Sequence, residues 1–236
     1  MVESPRRETP IDGAAAEKLA RQRRSLLDAA LRHVPFDGWT WTAIDAGARD
    51  LGLDAGEAQR LFPGGPLELI RAFSGEADRH MLETLESLDL DAMKVREKVA
   101  AGVRARLEAV AAHREAVRSG LNFFALPQNA AAGLACLCRT VDAIWYAAGD
   151  KATDYNFYSK RALLSAVYSS TLLYWLNDKS EDYAATWAFL DRRISEVLQV
   201  AGRLGKGVGA VLNLPERIVG AMTSPRRPGP RHGARR

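Results

Sequence analysis

"LLDAALRHVPFDGWTWTAIDAGARDLGLDAGEAQRLFPGGPLELI", residues 26–70, decides the fold. Its apolar residues return every three or four positions and its breaks are short, which reads as three short helices with a tight middle turn. The first is expected over 15–34, with Leu19, Leu26, Leu27, Ala30, Leu31 and Val34 along one side, stopping before Pro35 because the residue before a proline avoids the helical region. "FDGWT" is then a turn. Helices at 41–51 and 55–62 follow, the second opened by Asp54 with Glu57 three residues later, the spacing of a capping box. "PGGP" ends it.

The same periodicity continues outward. Helices are expected at 66–87, 92–112, 114–124, 128–148, 155–177 and 181–202, with a last candidate at 204–222, making about ten in all. No run of β-branched alternation competes with them, so the chain reads as all-α. The breaks "SLDL", "LPQN", "GDKATD" and "NDKSE" are short, as between packed antiparallel helices. The organisation expected is a disordered N-terminus (1–14), a three-helix head (15–65), a helical bundle (66–202), an amphipathic helix (203–222) and a disordered basic tail (223–236).

The chain has 236 residues and 47% hydrophobic content, enough for one sizeable core. Its formal charge of +4 is local: residues 223–236 carry five arginines and no acid, so what precedes them sums to −1. No apolar stretch reaches the about 20 residues a spanning helix needs. The start lacks the apolar core of a secretory signal, and Glu3 and Glu8 speak against a transit peptide, so a cytoplasmic location is expected. Cys136 and Cys138, two residues apart on a helix, point to different faces. His33, His80, His113 and His232 form no metal-binding pair. Neither a nucleophile with its base, nor a carboxylate pair, nor a phosphate loop stands out, so no catalytic residue, metal or cofactor is expected.

The 26–70 stretch resembles the helix-turn-helix head of the TetR repressors. In those repressors the second short helix enters the major groove and a following lysine grips phosphate. Here Gln59 stands at the tyrosine position, Leu61 replaces the aromatic before the phenylalanine, and Gly65 replaces the lysine. Asp54, Glu57 and Arg60 leave that helix unable to favour phosphate. The resemblance therefore implies an inherited scaffold and no nucleic-acid partner.

A second stretch, "DYNFYSKRALLSAVYSSTLLYW" at 154–175, changes character along its length. Placed at 100° per residue, Leu163, Val167, Tyr168, Thr171, Leu172, Tyr174 and Trp175 share a broad core-facing arc. Ala162, Ser165, Ala166 and Ser169 lie opposite, small enough for close backbone approach or for room beside a ligand. Lys160 and Arg161 fall on the arc that is apolar further on, so the first turns are expected to project past the core. Tyr155, Phe157 and Tyr158, rimmed by Asp154, Lys160 and Arg161, have the composition of an interface hot spot. Packing of these aromatics against a neighbouring loop is the alternative.

"TDYNFYSKRALLSAVYSSTLLYWLNDKSEDYAATWAFLDRRISEVL", 153–198, resembles the signature of the lipid-binding accessory family of ubiquinone (coenzyme Q) biosynthesis: a T-D-F-N-W-Y-[TS]-[KR]-R opening, an A-x-Y-x-[ST]-T helix and a D-T-W-x-F-L-x-x-R run. "HVPFDGWT" fits the same family. The resemblance implies a non-catalytic, TetR-like all-α homodimer that holds an isoprenoid quinone intermediate or a phospholipid. It also implies a partner, a di-iron hydroxylase docked on the aromatic patch. Carried over, Asp154, Asn156, Phe157, Tyr158 and Arg161 occupy that patch, with Phe157 standing where the family often has tryptophan; Tyr155 and Lys160 join the expected partner-binding residues from the composition of the same turn.

A bound polyisoprenoid needs a long apolar cavity. Candidate lining residues are Leu121, Phe124, Leu134, Leu137, Val141, Trp145, Leu164, Tyr168, Thr171, Leu172, Trp187 and Leu190, although periodicity does not separate pocket wall from ordinary core. In the last helix Leu204, Val208, Val211, Leu212, Ile218, Val219 and Met222 share one face and Lys206, Asn213 and Arg217 the other, a membrane-surface pattern. A helix folded over the core or onto a dimer mate is the alternative there. The expectation is a lipid-carrying accessory protein, peripheral on the inner face of the cell membrane. A TetR-type regulator sensing a hydrophobic ligand is the rival.

Overall fold

A computed structural model describes residues 10–149 and 155–197 of the protein. Most of the described residues are helical, with no strand among them. Helix α1 spans Pro10–Leu31, α2 Val34–Asp37, α3 Trp41–Asp50, α4 Ala55–Leu61 and α5 Gly65–Glu86. They are followed by α6 Val95–Glu108, α7 Arg114–Ala125, α8 Pro127–Ala147 and α9 Tyr155–Trp175. A further helix, α10, covers 184–197. The described residues up to Ile194 form one compact unit.

The departures from the expected helices each have a local cause. Pro35 does not simply stop the first helix: α1 ends at Leu31, and Pro35 sits in the first turn of α2, where its missing N–H costs nothing. The helix expected over 92–112 is trimmed to α6 by 3-10 turns at Leu90–Ala92 and Ala111–His113. At 181 the chain makes a 3-10 turn with Asp182 at φ 49°, so α10 starts three residues late. Leu19, expected on the core side of α1, is 48% exposed. The capping box of α4 is complete: Asp54 Oδ1 accepts from the Glu57 N–H at 2.7 Å and Glu57 Oε2 from the Asp54 N–H at 3.0 Å.

The head is closed by close approach of α1 and α3. A Cβ on Gly47 would lie 2.5 Å from the Ala30 nitrogen, so only glycine lets the two backbones meet there. Leu26, Leu27, Ala30 and Leu31 of α1 join Ile44, Phe62, Leu69 and Ala116 in one apolar cluster, which ties the head to α5 and α7. Beyond it α5 packs on α6 and α8, and α8 on α7 and α9. Among the described residues no helix is long and apolar enough to cross a membrane.

Candidate functional site

Between α5, α6, α7, α8 and α9 lies a cavity of about 220 Å³ with mainly apolar walls. Leu121 and Phe124 of α7, Leu137 of α8 and Tyr168, Ser169 and Leu172 of α9 line it. Trp39, Ile70 and Phe73 reach it from the head and from α5. Trp39 is held in place because its indole N–H donates to the Ala116 carbonyl at 3.0 Å and its ring packs 5.5 Å from that of Phe73. The wall stripe of α8 runs Gly133, Cys136, Leu137, Thr140, a helical i, i+3, i+4, i+7 spacing.

That stripe corrects several expected lining residues. Leu134 lies beside it and is 61% exposed. Val141, Leu164, Thr171 and Leu190 are buried core away from the cavity, and the Thr171 hydroxyl donates to the Val167 carbonyl at 2.7 Å. Trp145 and Trp187 are half-buried and engaged elsewhere: their indole N–H groups donate to the carbonyls of Lys160 (3.3 Å) and Asp182 (2.8 Å), and the Arg104 guanidinium lies 4.8 Å from the Trp187 ring centroid. Helical periodicity identifies a buried face, but which part of that face meets a void depends on the neighbouring helices.

One part of the wall is polar. Asp78 of α5 accepts from the Arg106 Nε of α6 at 2.7 Å and from the Thr140 hydroxyl of α8 at 2.7 Å, both on Oδ1. Its Oδ2 accepts from Arg139 Nε at 3.3 Å. Arg106 Nη2 donates to the backbone carbonyl and hydroxyl of Ser74, each at 3.3 Å. The side chains of Arg106 and Asp78 are 7% and 8% exposed, so this ion pair pins three helices inside the protein. Burial pushes the neighbouring Tyr168 phenol up, keeping it protonated. None of Asp78, Arg106 and Thr140 was singled out from sequence, because a lone arginine on a helix ordinarily reads as surface.

The joint between α9 and α10 is built on Asp178. Its Oδ1 accepts from the N–H (2.8 Å) and hydroxyl (2.7 Å) of Ser180, its Oδ2 from the N–H (2.8 Å) and hydroxyl of Thr186. Burial pushes this carboxyl up, but the hydrogen bonds from Thr186 and Ser180 outweigh it and hold the carboxyl at about 2. From α7, Arg114 donates to the carbonyls of Trp175 and Asp178, and Arg118 to that of Leu176. Two cations thus satisfy carbonyls at the C-terminal end of α9, where the helix dipole is negative.

Of the expected docking patch, Lys160 and Arg161 are described. They fold back on α8 instead of projecting past the core. Arg161 Nε bonds to Asp142 Oδ1, and the Lys160 ammonium lies 5.6 Å from the Trp145 ring centroid. Asp154 lies outside the described residues, as do the side chains of Tyr155, Asn156, Phe157 and Tyr158. So do Leu204, Val208, Val211, Leu212, Ile218, Val219 and Met222, and His232. Among the described residues no group of three or more His, Cys, Asp and Glu could hold a metal ion.

In the head, Leu61 is turned into the core and Gly65 has a φ of +58°. A Cβ on Gly65 would lie 2.6 Å from the Trp41 ring, so the site leaves no room for the lysine of a repressor. Glu68 accepts from the Gly64 N–H at 2.8 Å and pairs with Arg23 at 2.7 Å, so a carboxylate already occupies the N-terminal end of α5.

Comparison with known proteins places this architecture. A family model described as COQ9 matches residues 130–201, the span that carries α8, α9 and α10. The ubiquinone biosynthesis protein COQ9, mitochondrial, of Drosophila melanogaster is 34% identical over 204 residues, 85% of this chain. The chain belongs to the COQ9 family. Relatives of the same name from Homo sapiens and Rattus norvegicus are 32% and 35% identical, over 84% and 74% of this chain. The chain spans 62%, 65% and 58% of the length of the Drosophila, human and rat members of the COQ9 family. All three are named as mitochondrial ubiquinone biosynthesis proteins. Among solved structures, the TetR transcriptional regulator from Nitrosomonas europaea ATCC 19718 superposes with a TM-score of 0.63 at 22% identity, covering 76% of this chain and 99% of the regulator. The COQ9-family chain therefore has an all-α, TetR-like fold.

Proposed function

We propose that the chain is a non-catalytic accessory protein of ubiquinone biosynthesis that takes a lipophilic quinone intermediate from a membrane surface and presents it to a di-iron hydroxylase. The observation that carries this reading is the apolar cavity, of which α8 and α9, both in the span that matches the COQ9 model, supply one wall. At about 220 Å³ it is smaller than the ~300–1,000 Å³ of most small-ligand pockets, so it takes a ring or a short length of chain rather than a whole polyisoprenoid. Burial of that portion, at about 25 cal/mol per Å² of apolar surface, offsets the cost of leaving the bilayer.

In this reading the first turn of α9, with Asp154, Tyr155, Asn156, Phe157, Tyr158, Lys160 and Arg161, is the hydroxylase dock, and the chain works as a homodimer. The apolar face from Leu204 to Met222 and the arginine tail hold it reversibly on a membrane, each basic residue near an anionic surface adding about 1 kcal/mol. The TetR-type regulator is the second reading, favoured by the fold of the Nitrosomonas protein. Trp41 over Gly65 and the Glu68 carboxylate at the start of α5 weigh against it.

A pull-down with the hydroxylase tests the dock. Phe157→Lys abolishes capture while circular dichroism stays unchanged, and full capture by the folded variant rejects the dock. A gel shift tests the rival: salt-sensitive, sequence-specific DNA binding by the purified chain would replace the accessory reading.

A further inference from the structure

We infer that the cavity receives the oxygen-bearing end of its lipid, with the Tyr168 hydroxyl and Arg106 Nη1 donating to a neutral acceptor oxygen. This rests on the lipid reading above and specifies which part of the molecule is held. Both residues line the cavity, and both are more than nine-tenths buried. Arg106 commits Nε to Asp78 and Nη2 to Ser74. Among the described residues neither its Nη1 nor the Tyr168 hydroxyl has a hydrogen-bond partner. Two residues, each with a spare donor of a different kind, therefore line a chamber whose other walls are mostly apolar.

A hydrocarbon tail filling the chamber would shut water out from those donors and leave them unpaired, which buried polar groups avoid. A carbonyl oxygen, with two lone pairs, accepts from both. Charge selects among acceptors. Arg106 is paired with Asp78 inside the protein, and the second cation on Asp78, Arg139, is half-exposed and does not line the cavity, so a carboxylate or phosphate entering the chamber would lose its hydration without an unmatched buried cation in front of it. A neutral carbonyl loses far less. The raised phenol of Tyr168 remains a donor throughout the physiological range. The ligand end that fits is a quinone-like or ester carbonyl on an otherwise apolar molecule.

The test uses the full-length chain and three probes: a decyl-chain benzoquinone with every ring position substituted, decylbenzene, and decanoate. Full substitution keeps the Cys136 thiol, which lines the same cavity, from adding to the ring. Calorimetry is expected to rank the quinone on the order of tenfold above decylbenzene and above decanoate. Tyr168→Phe, which removes only the hydroxyl, lowers quinone affinity by about threefold to tenfold and leaves decylbenzene unchanged. The infrared carbonyl stretch of the bound quinone lies below its position in alkane and moves back toward it in the variant. Binding of none of the probes overturns the lipid reading together with this one. Equal affinity for quinone and decylbenzene, tighter binding of decanoate, or an unshifted carbonyl overturns the polar subsite alone.

Discussion

Asp78 offers the most demanding check on how the cavity is held open. Asp78→Ala removes the acceptor of Arg106 Nε, of the Thr140 hydroxyl and of Arg139 Nε at once. Arg139 is half-exposed and turns to water. Arg106, with a side chain 7% exposed, has nowhere to go and becomes a buried unpaired cation. Breaking one side of such a pair costs about 3–5 kcal/mol. For a chain of this length that lowers the melting temperature by roughly 6–20 °C, at about 2–4 °C per kcal/mol. Replacing both partners by apolar residues of similar shape, Asp78→Leu with Arg106→Met, removes the stranded charge and costs much less than either single change. Urea unfolding followed by circular dichroism measures Asp78→Ala, the singles Asp78→Leu and Arg106→Met and their double variant, and the cycle formed by the last three isolates the coupling. A loss below about 1 kcal/mol for Asp78→Ala, or a double variant whose loss equals the sum of the singles, refutes this reasoning.

Three further outcomes are expected. The Asp178 carboxyl sits at about 2 when folded against an ordinary 3.8, so its contribution is full above the higher value and is lost as pH falls between the two; Asp178→Asn flattens that part of the acid-unfolding curve. Gly47→Ala forces a methyl to 2.5 Å from the Ala30 backbone and lowers stability by about 1–3 kcal/mol or more, read by thermal melting. Deleting residues 204–236 abolishes flotation with anionic liposomes without changing the melting temperature, and unaltered flotation rejects the membrane anchor.

The all-α fold was legible because periodicity, capping and breaks agree along most of the chain. Asp54 and Glu57 announced the start of α4 before any tertiary contact was considered. Pro35 misled, since proline stops a helix that is under way yet is welcome in the first turn of the next, and sequence alone does not say which applies. Leu19 and Leu134 misled for another reason: a stripe fixes a face only when a neighbour covers it. The cavity was the least legible feature. Its walls come from Trp39 to Leu172, and its polar corner joins Ser74, Asp78, Arg106 and Thr140 across separations no local pattern reveals. Tyr168 and Leu172 were visible as a helical face, but the empty space beside them is a property of five helices together.

Whether the cavity carries a lipid is decided by extracting the purified protein. The full-length chain, purified without detergent, is extracted with organic solvent, and the extract is analysed by mass spectrometry beside that of a variant whose cavity is filled by Ser169→Trp. A quinone-type isoprenoid or a phospholipid is expected in substoichiometric to equimolar amount from the native chain, and much less from the folded variant. An extract free of lipid, or the same lipid in equal amount from both proteins, contradicts that expectation.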